Sequence, residues 1–309
     1  MSWLTNFVGP TLRRWIAPRV LREAQWVTCP KCGATAFHRD LDANWRICPH
    51  CDHHLTLPAA RRFALLLDAD SWARIEIPGA PADPLKFRDA RRYADRLKEA
   101  TMQSREAESV AVAHGRIDGM NAVVAAFEPQ FLCGTLGAAA GEAMVAAAEL
   151  AVLQDAALIL VSGSQGLRIQ DGAFALMQGP RVALALSKLG EKSLPLVAVL
   201  ADPAFDPAFD GLLQLADLTL AEPGARLGPP PADPFAPMDT PQFLEPRPGV
   251  ADAAQLLTAG RIDRIADRRD LKAEIAAVLS VLRSPFPAAT VIGYPGKAAR
   301  QIDQSGADA

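Results

Sequence analysis

The 309-residue chain has no apolar run long enough to cross a bilayer; its longest, Ala156–Val161 and Leu194–Ala201, are strand-sized, whereas a spanning helix needs about 20 residues. It also lacks charge of one sign. Thirty-two Lys and Arg stand against 35 Asp and Glu, a formal net charge of −3, which leaves no global basic field for nucleic acid or an anionic membrane. No secretory leader is expected either. Met1–Pro18 carries Trp3, Leu4, Phe7, Val8, Leu12 and Trp15, but polar and basic residues interrupt them and no small-residue cleavage site follows. This part of the N-terminal segment, 1–24, is read as an amphipathic helix resting on the body or on a partner. Cysteine is scarce, at 5 residues. Without a leader, that favours a reducing compartment over a disulfide framework and predicts a cytoplasmic protein. What is present is core material: 50% of residues are hydrophobic and 22% charged, which excludes disorder along the whole chain.

Four of the five cysteines form two pairs. Cys29-Pro-Lys-Cys32 and Cys48-Pro-His-Cys51, with fifteen residues between them, have the spacing of a zinc ribbon over residues 25–57. Each Cys-x-x-Cys presents two thiolates from one turn, and two such turns complete a tetrahedron around Zn²⁺. Four sulfurs close the site, so Cys29, Cys32, Cys48 and Cys51 predict one structural zinc that contributes to folding and not to bond-making. His50, His53 and His54 are read as solvated or supporting neighbours of that site, not as ligands. Cys133, alone in an apolar stretch, reads as a buried small hydrophobe.

Beyond the ribbon the pattern predicts helices over Ala59–Asp68 and Ala90–Met102. A hairpin of Val110–Ile117 and Asn121–Phe127 follows, turning at Asp118-Gly119-Met120. Then come helix Ala138–Gln154, strand Ala156–Val161, helix Ile169–Leu189, and strands Leu194–Leu200 and Leu218–Ala221. That alternation predicts parallel pairing with crossover helices, an α/β architecture. Pro223–Pro248 holds nine prolines in 26 residues, so the 223–250 region is expected to be a loop. A last helix fits Leu271–Leu282, and the tail 284–309 is expected to be disordered.

Several segments occur in an order that resembles a known family. The ribbon is followed by Asp83-Pro84-Leu85-Lys86-Phe87-Arg88-Asp89, by Phe131-Leu132-Cys133-Gly134-Thr135-Leu136-Gly137, by Ser164–Gly172 and by Leu218-Thr219-Leu220-Ala221-Glu222-Pro223. Together they resemble the carboxyltransferase β subunit of bacterial acetyl-CoA carboxylase. The resemblance implies a crotonase/ClpP-like spiral of ββα repeats over residues 58–283. It also implies transfer of a carboxyl group from carboxybiotin to acetyl-CoA, giving malonyl-CoA. Partners implied are a carboxyltransferase α subunit in an α₂β₂ assembly, a biotin carboxyl carrier protein that bears the biotin, and biotin carboxylase.

Such chemistry builds negative charge on a carbonyl oxygen, which backbone N–H groups of glycine-rich loops stabilise. The resemblance places Gly134, Gly166 and Arg168 in these oxyanion and substrate loops. It also exposes a departure. Where the family pattern is similar to Asp-Pro-Thr-x-Gly-Gly, this chain reads Asp202-Pro203-Ala204-Phe205-Asp206-Pro207. Pro207 has no N–H to give, and an Asp206 carboxylate would repel a developing oxyanion. Two outcomes therefore stay open at this level: an active carboxyltransferase β subunit, or a catalytically impaired paralogue acting as scaffold or regulatory partner. A zinc-ribbon nucleic-acid binder, with Lys31, His38, Arg39 and Arg46 as its positive face, is disfavoured by the net charge.

Overall fold

The central strands are unbroken apolar runs because both faces of their sheet are covered. The computed structural model describes residues 25–77, 83–205, 211–233, 235 and 238–283. The segment 1–24 with its expected helix, the Asp206-Pro207 pair and the tail 284–309 lie outside the described residues.

The chain begins with β1 (Trp26–Thr28), β2 (Thr35–Phe37) and α1 (His38–Ala43), followed by α2 (Ala59–Leu66), β3 (Ala73–Ile75) and α3 (Tyr93–Ser104). The body continues through β4 (Val110–Ile117), β5 (Met120–Phe127), α4 (Ala138–Leu153), β6 (Ala157–Val161), α5 (Ala173–Leu176), α6 (Gln178–Glu191), β7 (Leu196–Leu200) and β8 (Leu218–Ala221). It closes with β9 (Arg226–Leu227), β10 (Ala251–Asp252), α7 (Ala253–Thr258), β11 (Arg264–Ile265) and α8 (Leu271–Leu282).

Seven strands form one sheet in the order β11-β8-β7-β6-β5-β4-β3. From β5 to β11 the pairing is parallel, and β3, β4 and β5 pair antiparallel. Strand alternation sorts the side chains into two cores. Val123, Ala125, Leu158, Leu160, Leu196 and Ala198 pack with α4 and α6. Val124, Ala126, Ile159, Val161, Val197 and Val199 pack with Phe63 of α2 and with Leu271, Ile275 and Leu279 of α8.

A second, thinner layer gives the fold its spiral. After each main strand the chain makes a brief bridge to its neighbour in this layer: Leu136 with Leu167, Ser164 with Ala204, and Ala204 with Leu227. Leu227 then pairs with Ala251 through β9 and β10. Main strand, short bridge and helix recur as successive turns, the ββα repeat the resemblance implied.

The predicted elements are present with three instructive shifts. The hairpin turns at Asp118 and Gly119, both at positive φ (49° and 78°), as a two-residue turn between right-twisted strands requires. The charged helix starts at Tyr93 and not at Ala90, because Asp89 Oδ1 accepts the Arg91 N–H at 2.8 Å and ties those residues into a turn. The expected helix Ile169–Leu189 is interrupted. A 3₁₀ turn spans Ile169–Asp171, and Gly172 takes φ 53°, ψ −128°, before α5 and α6 resume.

The proline-rich segment is a loop closed at its neck by β9 and β10. Arg226 grips Asp202 with two hydrogen bonds of 2.9 and 2.8 Å and donates to the Phe243 carbonyl at 2.6 Å. No helix among the described residues is long and apolar enough to cross a membrane.

Candidate functional site

The four cysteines of the ribbon converge. Their sulfurs all lie within 4.8 Å of one another, with Cys29 and Cys51 3.7 Å apart and Cys32 and Cys48 3.8 Å apart. Four sulfurs about 2.3 Å from one tetrahedral centre would be separated by roughly 3.8 Å, so the cluster fits Zn²⁺. The unaided thiols are ill-matched: burial pushes Cys51 up to about 12, while the Ala34 backbone N–H lowers Cys32 to about 7. A dication held by these four sulfurs would let all of them be thiolates. None of His50, His53 and His54 belongs to the sulfur cluster. His50 is exposed, but His53 and His54 are buried and not solvated, and His54 has a different task.

His54 sits against a buried charge network that joins the ribbon to the body. Glu222, at the end of β8, is 1% exposed. It accepts from Arg268 Nε and Nη2 at 2.8 and 2.6 Å and from both terminal nitrogens of Arg62 on α2. Arg268 Nη1 also donates to two carbonyls on the ribbon side, Trp45 at 2.8 Å and Leu55 at 3.0 Å. His54 lies between two carboxylates, 3.6 Å from Glu222 and 3.4 Å from Asp267. Burial would raise the Glu222 pKa, but the Arg268 and Arg62 guanidiniums outweigh it and hold the carboxyl well below its usual range.

The segments Phe131–Gly137 and Ser164–Gly172 meet in the body, and Arg168 is their common centre. It is 1% exposed. Its Nη2 donates to the Thr135 carbonyl at 2.7 Å and to Ser109 Oγ at 2.9 Å, and its Nε donates to Thr135 Oγ1 at 3.2 Å. Both Nη atoms also grip Glu108, and Nη1 reaches the Tyr93 hydroxyl at 3.3 Å. Burial opposes its charge; Glu108 overrides that and keeps its pKa above the ordinary arginine value. Nothing local in the sequence marks Glu108, Tyr93 or Thr135 as its partners, since they lie 33 to 75 residues away.

Gly134 and Gly166 lie in the same junction. Gly134 has φ 65°, and a Cβ there would stand 2.0 Å from the Gly163 carbonyl oxygen. Its N–H donates to the Phe131 carbonyl at 2.9 Å. Gly166 has φ 119°, its N–H meets Ser164 Oγ at 3.1 Å, and a Cβ there would be 3.0 Å from Pro230 of the proline-rich loop. Gly134→Ala is expected to lower stability by at least about 2 kcal/mol, combining left-handed strain with displaced backbone. Gly190→Ala, with nothing near the new Cβ, should be neutral or stabilising by up to about 1 kcal/mol. Urea midpoints check both, and equal losses in the two variants would show that crowding at Gly134 is unimportant.

Beside this junction a cleft of about 560 Å³ opens between the ribbon side, α3 and the proline-rich loop. Arg46, Arg91, Arg96 and Glu99 supply its charged wall; Leu132, Cys133, Phe235 and Met238 supply its apolar one. Gly134, Gly166 and Arg168 are not among the residues that line it, whereas Cys133, adjacent to Gly134, is. Cys133 is half-buried and at φ 56°, where its surroundings push the thiol up to about 11 by desolvation. The expected small hydrophobe is thus also part of a cleft wall.

A carboxyl transferase domain model matches residues 71–205, and an acetyl-CoA carboxylase zinc finger domain model matches residues 26–51. The chain is 42% identical over 286 residues to acetyl-coenzyme A carboxylase carboxyl transferase subunit beta of Granulibacter bethesdensis, covering 91% of each. It is 39% identical to the protein of the same name from Gluconacetobacter diazotrophicus, covering 91% of this chain and 93% of that one. Among solved structures it resembles the Pseudomonas malonate decarboxylase MdcD-MdcE hetero-dimer, with a TM-score of 0.52 and 22% identity over 73% of this chain and 86% of that one. Transcarboxylase 12S gives 0.52 and 21%, covering 73% of this chain and 41% of that one. These two likenesses concern the fold, which is the crotonase-like carboxyl transferase fold carrying an N-terminal four-cysteine ribbon. The relatives share 39–42% of their residues with this chain over 91% of its length, and the chain belongs to the family of acetyl-CoA carboxylase carboxyl transferase β subunits.

Proposed function

We propose that this chain supplies the acetyl-CoA side of a carboxyltransferase, in which a carboxyl group passes from carboxybiotin to the acetyl methyl carbon and malonyl-CoA results. The observation that carries the reading is the junction itself. The loops that the family places around an acyl thioester are brought together by Arg168 beside an open cleft. Biotin would arrive on a carrier protein charged by a biotin carboxylase, and an α subunit would complete the site.

In this reading the cleft holds the coenzyme. Arg91 pairs with the half-exposed Glu99 and Arg96 with the part-exposed Asp89, and Arg96 also lies over the Phe235 ring. Exposed pairs of that kind are worth little and can be exchanged for phosphate oxygens. The apolar wall of Leu132, Cys133 and Met238 takes the thioester end. Arg168 does not touch substrate; it fixes the two loops. The Gly134 and Gly166 amides already hold internal partners, so an acyl oxygen must compete with those partners for them.

A second reading follows from Asp206 and Pro207, which replace the family's paired glycines. The loss of one oxyanion donor costs about 10²–10³ in rate. The assay uses the full chain with an α subunit, acetyl-CoA and carboxybiotin. Malonyl-CoA above the α-only background is expected, rising at least tenfold when Asp206→Gly and Pro207→Gly are combined. No turnover by either form would sink the proposal. An unmodified chain as fast as the glycine-restored one would dismiss the impaired-paralogue reading.

A further inference from the structure

Four main-chain contacts converge on one buried acid. Glu128 follows β5 and is 1% exposed. Its Oε2 accepts the Ala59 N–H at 2.9 Å, and its Oε1 accepts the Gln130 N–H at 3.0 Å. Its own N–H donates to the Ser109 carbonyl at 2.7 Å, and its carbonyl accepts the Phe131 N–H at 3.1 Å. Burial raises its pKa to about 7, against the Gln130 and Ala59 N–H groups, which lower it. Two charged groups act on it as well: Glu106 raises it and Arg74 of β3 lowers it, and those two are hydrogen-bonded to each other. The cations of α2 are committed elsewhere, Arg61 to the Asp42 carbonyl and Arg62 to Glu222.

The two N–H groups that the carboxylate holds belong to two segments around the cleft. Gln130 lines it, together with Pro129, Leu132 and Cys133. Ala59 opens α2, three residues after Thr56, which lines the cleft from the ribbon side with Arg46. The first N–H of a helix has no acceptor within that helix, and a negative charge is favoured there. A carboxylate serves both N–H groups at once through charge-assisted bonds. A carboxylic acid does not: its protonated oxygen becomes a donor, so one of the two N–H groups loses its acceptor. The ionised form that makes both bonds is also the costlier one to bury.

We infer that Glu128 is a positioning residue for the coenzyme: as a carboxylate it fixes the Pro129–Cys133 wall of the cleft against the start of α2, and taking up a proton slackens that wall. This rests on the proposed function, which puts the coenzyme in the cleft. Glu128 is not among the residues that line it and acts through Gln130. The next residues of the loop have a separate anchor, because Arg168 holds the Thr135 carbonyl and Ser109 Oγ donates to the same oxygen at 2.8 Å. Slackening is therefore felt in coenzyme binding and not in turnover.

The test compares the acetyl-CoA KM of Glu128→Gln with that of wild type, each full chain assayed with the α subunit. Glutamine keeps the size and one acceptor oxygen but sets an NH2 group against an N–H. The ratio of the two KM values is expected to be about five- to tenfold near pH 8 and below about twofold near pH 6, with kcat within about twofold throughout. Taking the ratio cancels the titration of the coenzyme phosphates and of other side chains. A residue that merely supports the fold would give a ratio independent of pH, and that result overturns the inference. A lower kcat at unchanged KM overturns it too. Amide exchange reads the clamp without turnover: near pH 8 the Gln130 or Ala59 N–H should exchange about tenfold faster in the variant, and unchanged protection of both refutes the clamp. Should the variant not fold, wild type still decides, since its acetyl-CoA KM must rise from pH 8 to pH 6 and a flat profile overturns the role. Malonyl-CoA from both forms at a constant ratio removes only the positioning role. No malonyl-CoA from wild type at any pH removes the functional reading, and the positioning role falls with it.

Discussion

Replacing Cys48 with serine is expected to abolish zinc binding, unfold residues 25–57 and release the ribbon from the body. The module cannot stand on its own apolar core. That core amounts to Leu41, Leu55 and the ligand cysteines Cys29 and Cys48, with Val27, Ala36 and Cys51 at its edge. Structural zinc in such modules is worth about 10–16 kcal/mol, far more than so few side chains supply. Loss of one thiolate also leaves Arg268 without the Trp45 and Leu55 carbonyls it holds. Metal analysis should fall from one zinc per chain to none, and amide exchange over 25–57 should become fast while β5–β7 stay protected. Stoichiometric zinc with intact protection in the serine variant would refute the closed four-sulfur site.

Glu222→Gln is expected to destabilise the chain by about 3–5 kcal/mol, because it leaves the buried Arg62 and Arg268 guanidiniums without their counter-charge. Replacing the three ionic residues together by Leu at 222 and Met at 62 and 268 should recover most of that loss, since desolvation of the ions is then no longer incurred. The pH dependence has a definite sign. The folded carboxyl lies well below its ordinary 4.5, so its stabilisation is present above that value and is lost as pH falls through the folded one. Urea midpoints of wild type should decline on acidification below about 4.5, with a shallower decline in Glu222→Gln. Glu128 and Asp202 work the other way. Burial raises them to about 7 and about 6, so their contribution is full at acid pH and fades as pH rises through those values. Identical acid slopes in wild type and variant would show that Glu222 is not a charged hub.

The reach of the sequence differed from element to element for physical reasons. Thiolate pairs at ribbon spacing are legible because a tetrahedral ion leaves few other uses for them. The strands and the Asp118-Gly119 turn are legible because each depends on neighbours along the chain. The interruption at Gly172 escaped, since periodicity continues across it and only the left-handed backbone breaks it. The segment Leu218–Pro223 carried a resemblance but no role until Glu222 met Arg62, 160 residues away, and Arg268, 46 residues away.

Arg168 shows the same division. The family resemblance implied a substrate loop for it; the fold makes it the tie between the Ser164–Gly172 loop, the Phe131–Gly137 loop, Glu108 and Tyr93. Local grammar in the chain therefore marked the four cysteines by their spacing and the alternating α/β elements by periodicity, while the lineage came from the likeness of its ordered segments to a known family. Tertiary structure alone decided how the ribbon is fastened, which glycine amides are engaged and what lines the cleft. Those depend on desolvation and on partners far apart in sequence, and burial becomes a property of a residue only once the chain has closed around it.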